Sequence, residues 1–230
     1  MKFMLYTAEC QGNEQNCLYP KAAQVDSAET LSAATAKDHV CASFQNNHRS
    51  VADFLACDVI MLDCDNDHTD DPASWVTPEQ LAVMVPEAAF AATPSRHDCR
   101  EKEGKSARPR WHAYFPVAVI LDAQKCRTLK AAVQARFPFF DANCLDAARF
   151  VYGSEAGQPF WHEGNKTIDQ LLQLACKEHS IPEGKRNSTM SHFAGRVVKR
   201  YGVTDRAHDI FMEESAKCEP PLSDEELDTI

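Results

Sequence analysis

The clearest pattern in the chain is the run DVIMLDCDNDHTDDP, residues 58–72. Its apolar stretch, Val59 to Leu62, has no polar break, as in a strand buried on both faces. It feeds directly into Asp63, Asp65, Asp67 and Asp70. A strand is therefore expected over 58–63, after a short helix or turn in SVADFLAC. TPEQLAVMV reads as a helix start, with Thr77 as N-cap, Pro78 at the first helical position and Glu79 and Gln80 in the first turn. AAFAATPS fits a second strand ending at Pro94, and RWHAYFPVAV a third. DAQKCRTLKAAVQARF is an amphipathic helix capped by Asp122. ARFVYGS is a strand stopped by Gly153, and TIDQLLQLACKEH a further helix. Residues 1–50 show weak periodicity and read as mixed structure.

The texture changes near Pro182–Gly184. KRNSTMSHFAGRVVKRYG, TDRAHDIFMEESAKC and SDEELDTI read as three helices with short polar joints. The expected fold is α+β: a β-sheet core flanked by helices over 1–180, then a small all-α module over 181–230. No repeat or low-complexity tract is visible.

Composition adds limits. Of 230 residues, 44% are hydrophobic and 25% charged, values of an ordinary globular protein. No apolar run approaches the about 18 residues of a membrane span. The start, MKFMLYTAECQGNEQ, is a poor signal peptide. Ten scattered cysteines without a C-x-x-C pair fit reduced, half-buried thiols in a cytoplasmic protein. A net charge of −10 argues against indiscriminate polyanion binding. Two stretches run the other way. Arg96–Arg110 holds six Lys/Arg against three acids, and Lys185–Arg206 six against Asp205 alone.

Three motifs carry chemistry. Asp63 and Asp65, two apart on an extended chain, point to one face and can hold Mg²⁺ or Mn²⁺ through oxygen ligands. The bland alternative is a solvated acidic loop, and Asp67 and Asp70 belong to such a loop. Ser95, Arg96 and His97 follow an apolar run, where hydroxyl, guanidinium and imidazole can converge on a phosphate. Taken alone they would pass for a basic surface loop. The segment Lys102–Arg108 reads as mobile, and His112, within an apolar strand, as a core histidine. Asp141 follows the apolar Phe137–Phe140 run, and Arg149 opens the next strand.

In this order the motifs resemble the archaeo-eukaryotic primase superfamily, most of all the primase-polymerases of bacterial mobile elements and phages. NNHRSVADF, VIMLDCDNDH, PSRH, GKSARPRWHAYFP and FDANCLDAARF carry the resemblance, which spans roughly residues 37–230. It implies a primase-polymerase catalytic domain over 1–180 and a primase C-terminal helical module after it. It also implies a nucleotidyltransferase that synthesises primers on a single-stranded DNA template from nucleoside triphosphates. Asp63, Asp65 and Asp141 would hold a two-metal Mg²⁺ or Mn²⁺ site. Ser95 and His97 would contact the nucleotide's phosphates and Arg149 its triphosphate, with Arg96, Lys105 and Arg110 as helpers. No zinc-binding element of the kind some relatives carry is present.

Two rivals remain on the same residues. An aspartate-nucleophile phosphohydrolase would use Asp63 as nucleophile and Asp65 as acid/base, in a doubly wound domain. A non-catalytic replication-initiation module would need neither. The chain's end also carries an expectation. Ser223 caps a last helix that runs only seven residues, short for an isolated helix. A longer polypeptide is therefore expected, and the family resemblance implies that a helicase-type ATPase follows this module.

Overall fold

The chain opens with a hairpin, β1 (Phe3–Thr7) and β2 (Lys21–Val25), paired from Phe3↔Val25 to Thr7↔Lys21. The structure, a computed structural model, describes residues 1–155, 157–172 and 181–230. They divide into two units, Met1–Leu172 and Gln173–Ile230. Ser27 caps helix α1 (Ala28–Thr35), which leads to β3 (His39–Val40) and β4 (Ala42–Phe44). Then come β5 (Phe54–Cys64), α2 (Pro78–Met84) and β6 (Phe90–Pro94). A small hairpin, β7 (Arg100–Lys102) and β8 (Lys105–Arg108), precedes β9 (Trp111–Ile120). The unit continues with α3 (Ala123–Arg136), β10 (Phe150–Val151) and β11 (Phe160–His162).

These elements make an α+β architecture with two main sheets, β10-β3-β1-β2 and β11-β6-β9-β5-β4, every pairing antiparallel. The sequence expects a strand over 58–63; β5 begins four residues earlier and is 11 residues long. Its side chains alternate between two apolar clusters. Ile60, Leu62 and Cys64 pack with Leu81, Phe90, Phe115, Val133 and Phe137, beneath α2 and α3. Val59 and Met61 pack with Phe3, Leu5, Val25, Leu31 and Tyr114, beneath the first sheet and α1. Burial on both faces explains the unbroken apolar run. It also means that the weakly periodic N-terminal residues supply one wall of the core.

Local rules hold at the helix starts. Thr77 accepts from the Gln80 N–H while the Gln80 side chain accepts from the Thr77 N–H, a reciprocal cap. Asp122 accepts from the Lys125 N–H. Residues 168–172 are helical; the rest of the helix read over 167–179 lies outside the described residues.

The second unit carries α4 (Arg186–Tyr201), α5 (Asp205–Ser215) and α6 (Asp224–Asp228). The two-residue strands β12 (Ile181–Pro182) and β13 (Cys218–Glu219) pair in parallel. Ile181, Met190, Cys218 and Leu222 form its small core, with Phe193 and Phe211 against it. Arg186, counted above within the basic stretch, is spent inside this unit: it donates to the Pro220 and Pro221 carbonyls and pairs with Glu226. Among the described residues no helix is long and apolar enough to cross a membrane.

Candidate active site

The site begins where the face of β5 that carries Val59 and Met61 changes character. One step further along that face stands Asp63, and two residues on, Asp65. Strand register then selects the neighbours. Asp63 lies opposite His112 on β9, and His112 opposite Thr93 on β6. His112 is not the core histidine that its apolar setting suggested. Its Nε2 stands 3.6 Å from Asp63 Oδ1 and its side chain lines the same cavity as both carboxylates.

That cavity, of about 430 Å³, brings together residues far apart in sequence. Asp63, Asp65 and His112 form one side; Ser95, Arg96, His97, Lys102, Arg149 and Tyr152 line the rest. Glu101 and Glu103, at the tip of the β7–β8 hairpin, complete it. Ser95 follows β6, held by its backbone N–H to the Arg110 carbonyl. Its Oγ accepts from the His97 N–H, which leaves its O–H as a donor. Arg149 comes from the segment leading into β10, the edge of the other sheet.

Asp141 is tied to the first carboxylate through the main chain. Its N–H donates to the Asp63 carbonyl at 2.8 Å, and Cys144 Sγ, within the 3-10 turn Ala142–Cys144, donates to the Asp141 carbonyl while accepting from the Asp63 N–H. The Asp141 side chain caps that turn by accepting from the Asn143 N–H. It is not among the residues that line the cavity.

The electrostatics follow from this crowding. Burial, then the neighbouring charges of Asp65 and Asp141, push the Asp63 carboxyl up to about 7. His112 gives no relief, because burial pulls its imidazole down to about 4 and leaves it neutral. Asp63 Oδ1 is buried without a hydrogen-bond partner. Asp65 is better served: Lys102 Nζ donates to it at 2.6 Å, and Arg110 Nε lies 3.8 Å away. Burial lowers the Lys102 ammonium's pKa, but the bond to Asp65 and the charges of Asp65 and Asp63 more than offset it, so it stays above its ordinary value. Burial and the cations Arg96, Lys102 and Arg110 lower His97, which is a neutral hydrogen-bonding group at pH 7.

The remaining sequence candidates sit elsewhere. Lys105 points away from the cavity and pairs with Asp67 at 3.1 Å, one partner of the cross-strand pair Lys102↔Lys105. Arg110 is fully buried behind the site, donating to the Arg100 and His97 carbonyls rather than into the cavity. The Lys102–Arg108 segment, read as mobile, is a hairpin turned by Glu103 (φ 52°) and Gly104 (φ 78°). Arg108 anchors it. Nearly all of its surface is buried, and it bonds the Asn66 and Thr69 carbonyls and the Asp70 carboxylate while lying 3.6 Å from Asp67. The charge of the acidic loop is therefore met by Arg108 and Lys105. Asp63 and Asp65 face the cavity, together with Glu101 and Glu103 of the hairpin.

Divalent-metal chemistry was tested against these residues. Among the described residues no group of three His, Cys, Asp or Glu side chains is gathered as a ready metal site. The three expected ligands thus stand as a facing pair plus Asp141, held beside them by its backbone. The pair itself suits a hard cation: oxygen donors on one face, one oxygen buried without a partner, and at Asp63 a proton affinity raised by burial and then by the neighbouring carboxylates.

No family model matches the chain, and no curated protein matches its sequence. Among solved structures, the AEP domain of the cyanophage S-2L primase-polymerase (PrimPol) aligns with 75% of this chain and 87% of its own, at 14% identity and a TM-score of 0.41.

Proposed function

We propose that this protein is a primase-polymerase: a metal-dependent nucleotidyltransferase that extends or initiates primers on single-stranded DNA. One observation carries the reading. Two carboxylates at the end of β5 share a single cavity with the phosphate-binding groups Ser95, Arg96, His97, Lys102 and Arg149, alongside Glu101 and Glu103. Carboxylates alone would suit many hydrolases; the accompanying cations suit a substrate with several phosphates.

In the proposed reaction a primer 3′ oxygen attacks the α-phosphorus of a nucleoside triphosphate, and the bond to the pyrophosphate oxygen breaks. Asp63 and Asp65, with Asp141 beside them, would hold Mg²⁺ or Mn²⁺, which would supply Lewis acidity to the reaction. The chain's own cations do the rest. Arg149 and Arg96 offer forked N–H donors to the phosphates, Lys102 a point charge, and His97 and Ser95 directional hydrogen bonds. Lys102, on Asp65 in this structure, lines the cavity within reach of a bound triphosphate. The basic stretch 185–206, apart from Arg186, serves as a contact for the template's phosphates.

The phosphohydrolase alternative loses its scaffold, since it requires a doubly wound parallel sheet and the sheet bearing Asp63 is antiparallel throughout. The test is incorporation of labelled nucleotides on a single-stranded DNA template with Mg²⁺ or Mn²⁺. Wild type should extend or initiate chains and the Asp63→Asn/Asp65→Asn double variant should not. Equal incorporation by both would overturn the proposal.

A further inference from the structure

A nucleoside triphosphate has two unlike halves, a polyanion and a flat, weakly hydrated base. The cavity's cations answer the first. Among the described lining residues only Tyr152 brings a six-membered ring; the others are carboxylates, cations, imidazoles and a serine. The ring is already stacked on a planar group. The Arg96 guanidinium lies over it, 3.7 Å from the centroid, the separation at which flat π systems sit face to face.

The ring is also held in place before any ligand arrives. Phe150 meets it edge-on, with centroids 4.8 Å apart and planes at 73°. Its hydroxyl donates to Glu14 at 3.4 Å. The next residue, Gly153, is pinned by the buried Asp38 carboxylate, which accepts the Gly153 N–H at 2.7 Å together with the N–H groups of Gly12 and Asn13. Ordering cost that a mobile side chain would add to binding has largely been met by folding.

We infer that Tyr152 is the stacking surface for the base of the incoming nucleotide, and that Arg96 marks the place of that base until it moves to the phosphates. The inference rests on the nucleotide reading of the cavity. A π face accepts any base, so the contact strengthens binding without selecting sequence.

The test compares full-length wild type, Tyr152→Phe and Tyr152→Leu, each titrated with the four nucleoside triphosphates and with inorganic tripolyphosphate in Mg²⁺. Stacking of about 1–3 kcal/mol per base corresponds to a loss of roughly 5- to 150-fold in affinity. Tyr152→Leu should lose that much for all four nucleotides, Tyr152→Phe should match wild type, and tripolyphosphate should bind all three alike. Unchanged nucleotide affinity in Tyr152→Leu overturns the inference while leaving the nucleotide reading standing. So does a parallel loss of tripolyphosphate, which would make the ring a purely structural support. Failure of wild type to bind either nucleotide or tripolyphosphate would overturn the nucleotide reading itself, and this inference with it.

Discussion

The Asp141 backbone N–H donates to the carbonyl of Asp63 at 2.8 Å, so two carboxylates 78 residues apart are joined by main chain. Because the bond uses neither side chain, both acids can be altered without breaking it. Asp63 is therefore open to substitution without loss of this tie, and Asp141→Asn keeps an oxygen to cap the Ala142–Cys144 turn.

For Asp63 this gives a pH signature. Its carboxyl is raised to about 7 against an ordinary 3.8, so the folded chain binds a proton more tightly than the unfolded one. Stability present below pH ~4 is lost progressively as pH rises through about 7. Asp63→Asn removes that loss. In metal-free buffer the variant's advantage over wild type should be small at pH 4, on the order of 2–4 kcal/mol at pH 8, and read by urea unfolding. Mg²⁺ should stabilise wild type and leave the variant unmoved. A variant no more stable than wild type at pH 8 would mean that repulsion at Asp63 is already relieved.

Lys102 and Lys105 should separate cleanly. Lys102→Met removes a cation that lines the cavity, and loss of one charge-assisted bond of about 1.5–3 kcal/mol should weaken nucleoside triphosphate binding by roughly tenfold or more. Lys105→Met removes a solvent-exposed ion pair worth about 0–1 kcal/mol, with nucleotide affinity unchanged. Isothermal titration of both variants checks the pair; the reverse order of effects would reassign the hairpin.

Arg108 is a structural cation. Arg108→Met leaves the Asn66 and Thr69 carbonyls without their donor, while Asp70 stands in water and Asp67 keeps Lys105, so the expected cost is that of one lost charge-assisted bond, about 1.5–3 kcal/mol. Denaturant midpoints should fall accordingly. A loss below about 1 kcal/mol would show that water replaces the guanidinium.

Gly153 tests the packing of the β10 end against the turn between α1 and β3. A Cβ there would lie 2.6 Å from the Ala36 carbonyl oxygen, a main-chain atom that cannot swing away. Gly153→Ala should destabilise by about 1–3 kcal/mol and, by shifting β10, weaken nucleotide binding through Arg149. Wild-type stability in this variant would show that the Ala36–Lys37 segment yields.

Features set by a few neighbouring residues were legible in the chain alone. The unbroken apolar run into Asp63 is a strand, Thr77 with Gln80 and Asp122 ahead of Lys125 are helix starts, and Ser223 caps the last helix through Glu226. Each depends on contacts within about four residues. Ser95, Arg96, His97 and Arg149, taken alone, read as surface cations and a loop serine; only the order of the motifs singled them out together, and the structure brings them to one cavity. What only the tertiary structure decided is which side chains meet. His112 faces Asp63, Lys102 rather than Lys105 reaches the carboxylates, Arg108 neutralises the acidic loop, and the faintly patterned N-terminal residues wall the core and bring β10 with Tyr152. Strand register settles the first and the last of these, and a slip of one residue exchanges every side chain between faces. That register is set by packing between segments tens of residues apart, where no local pattern reaches.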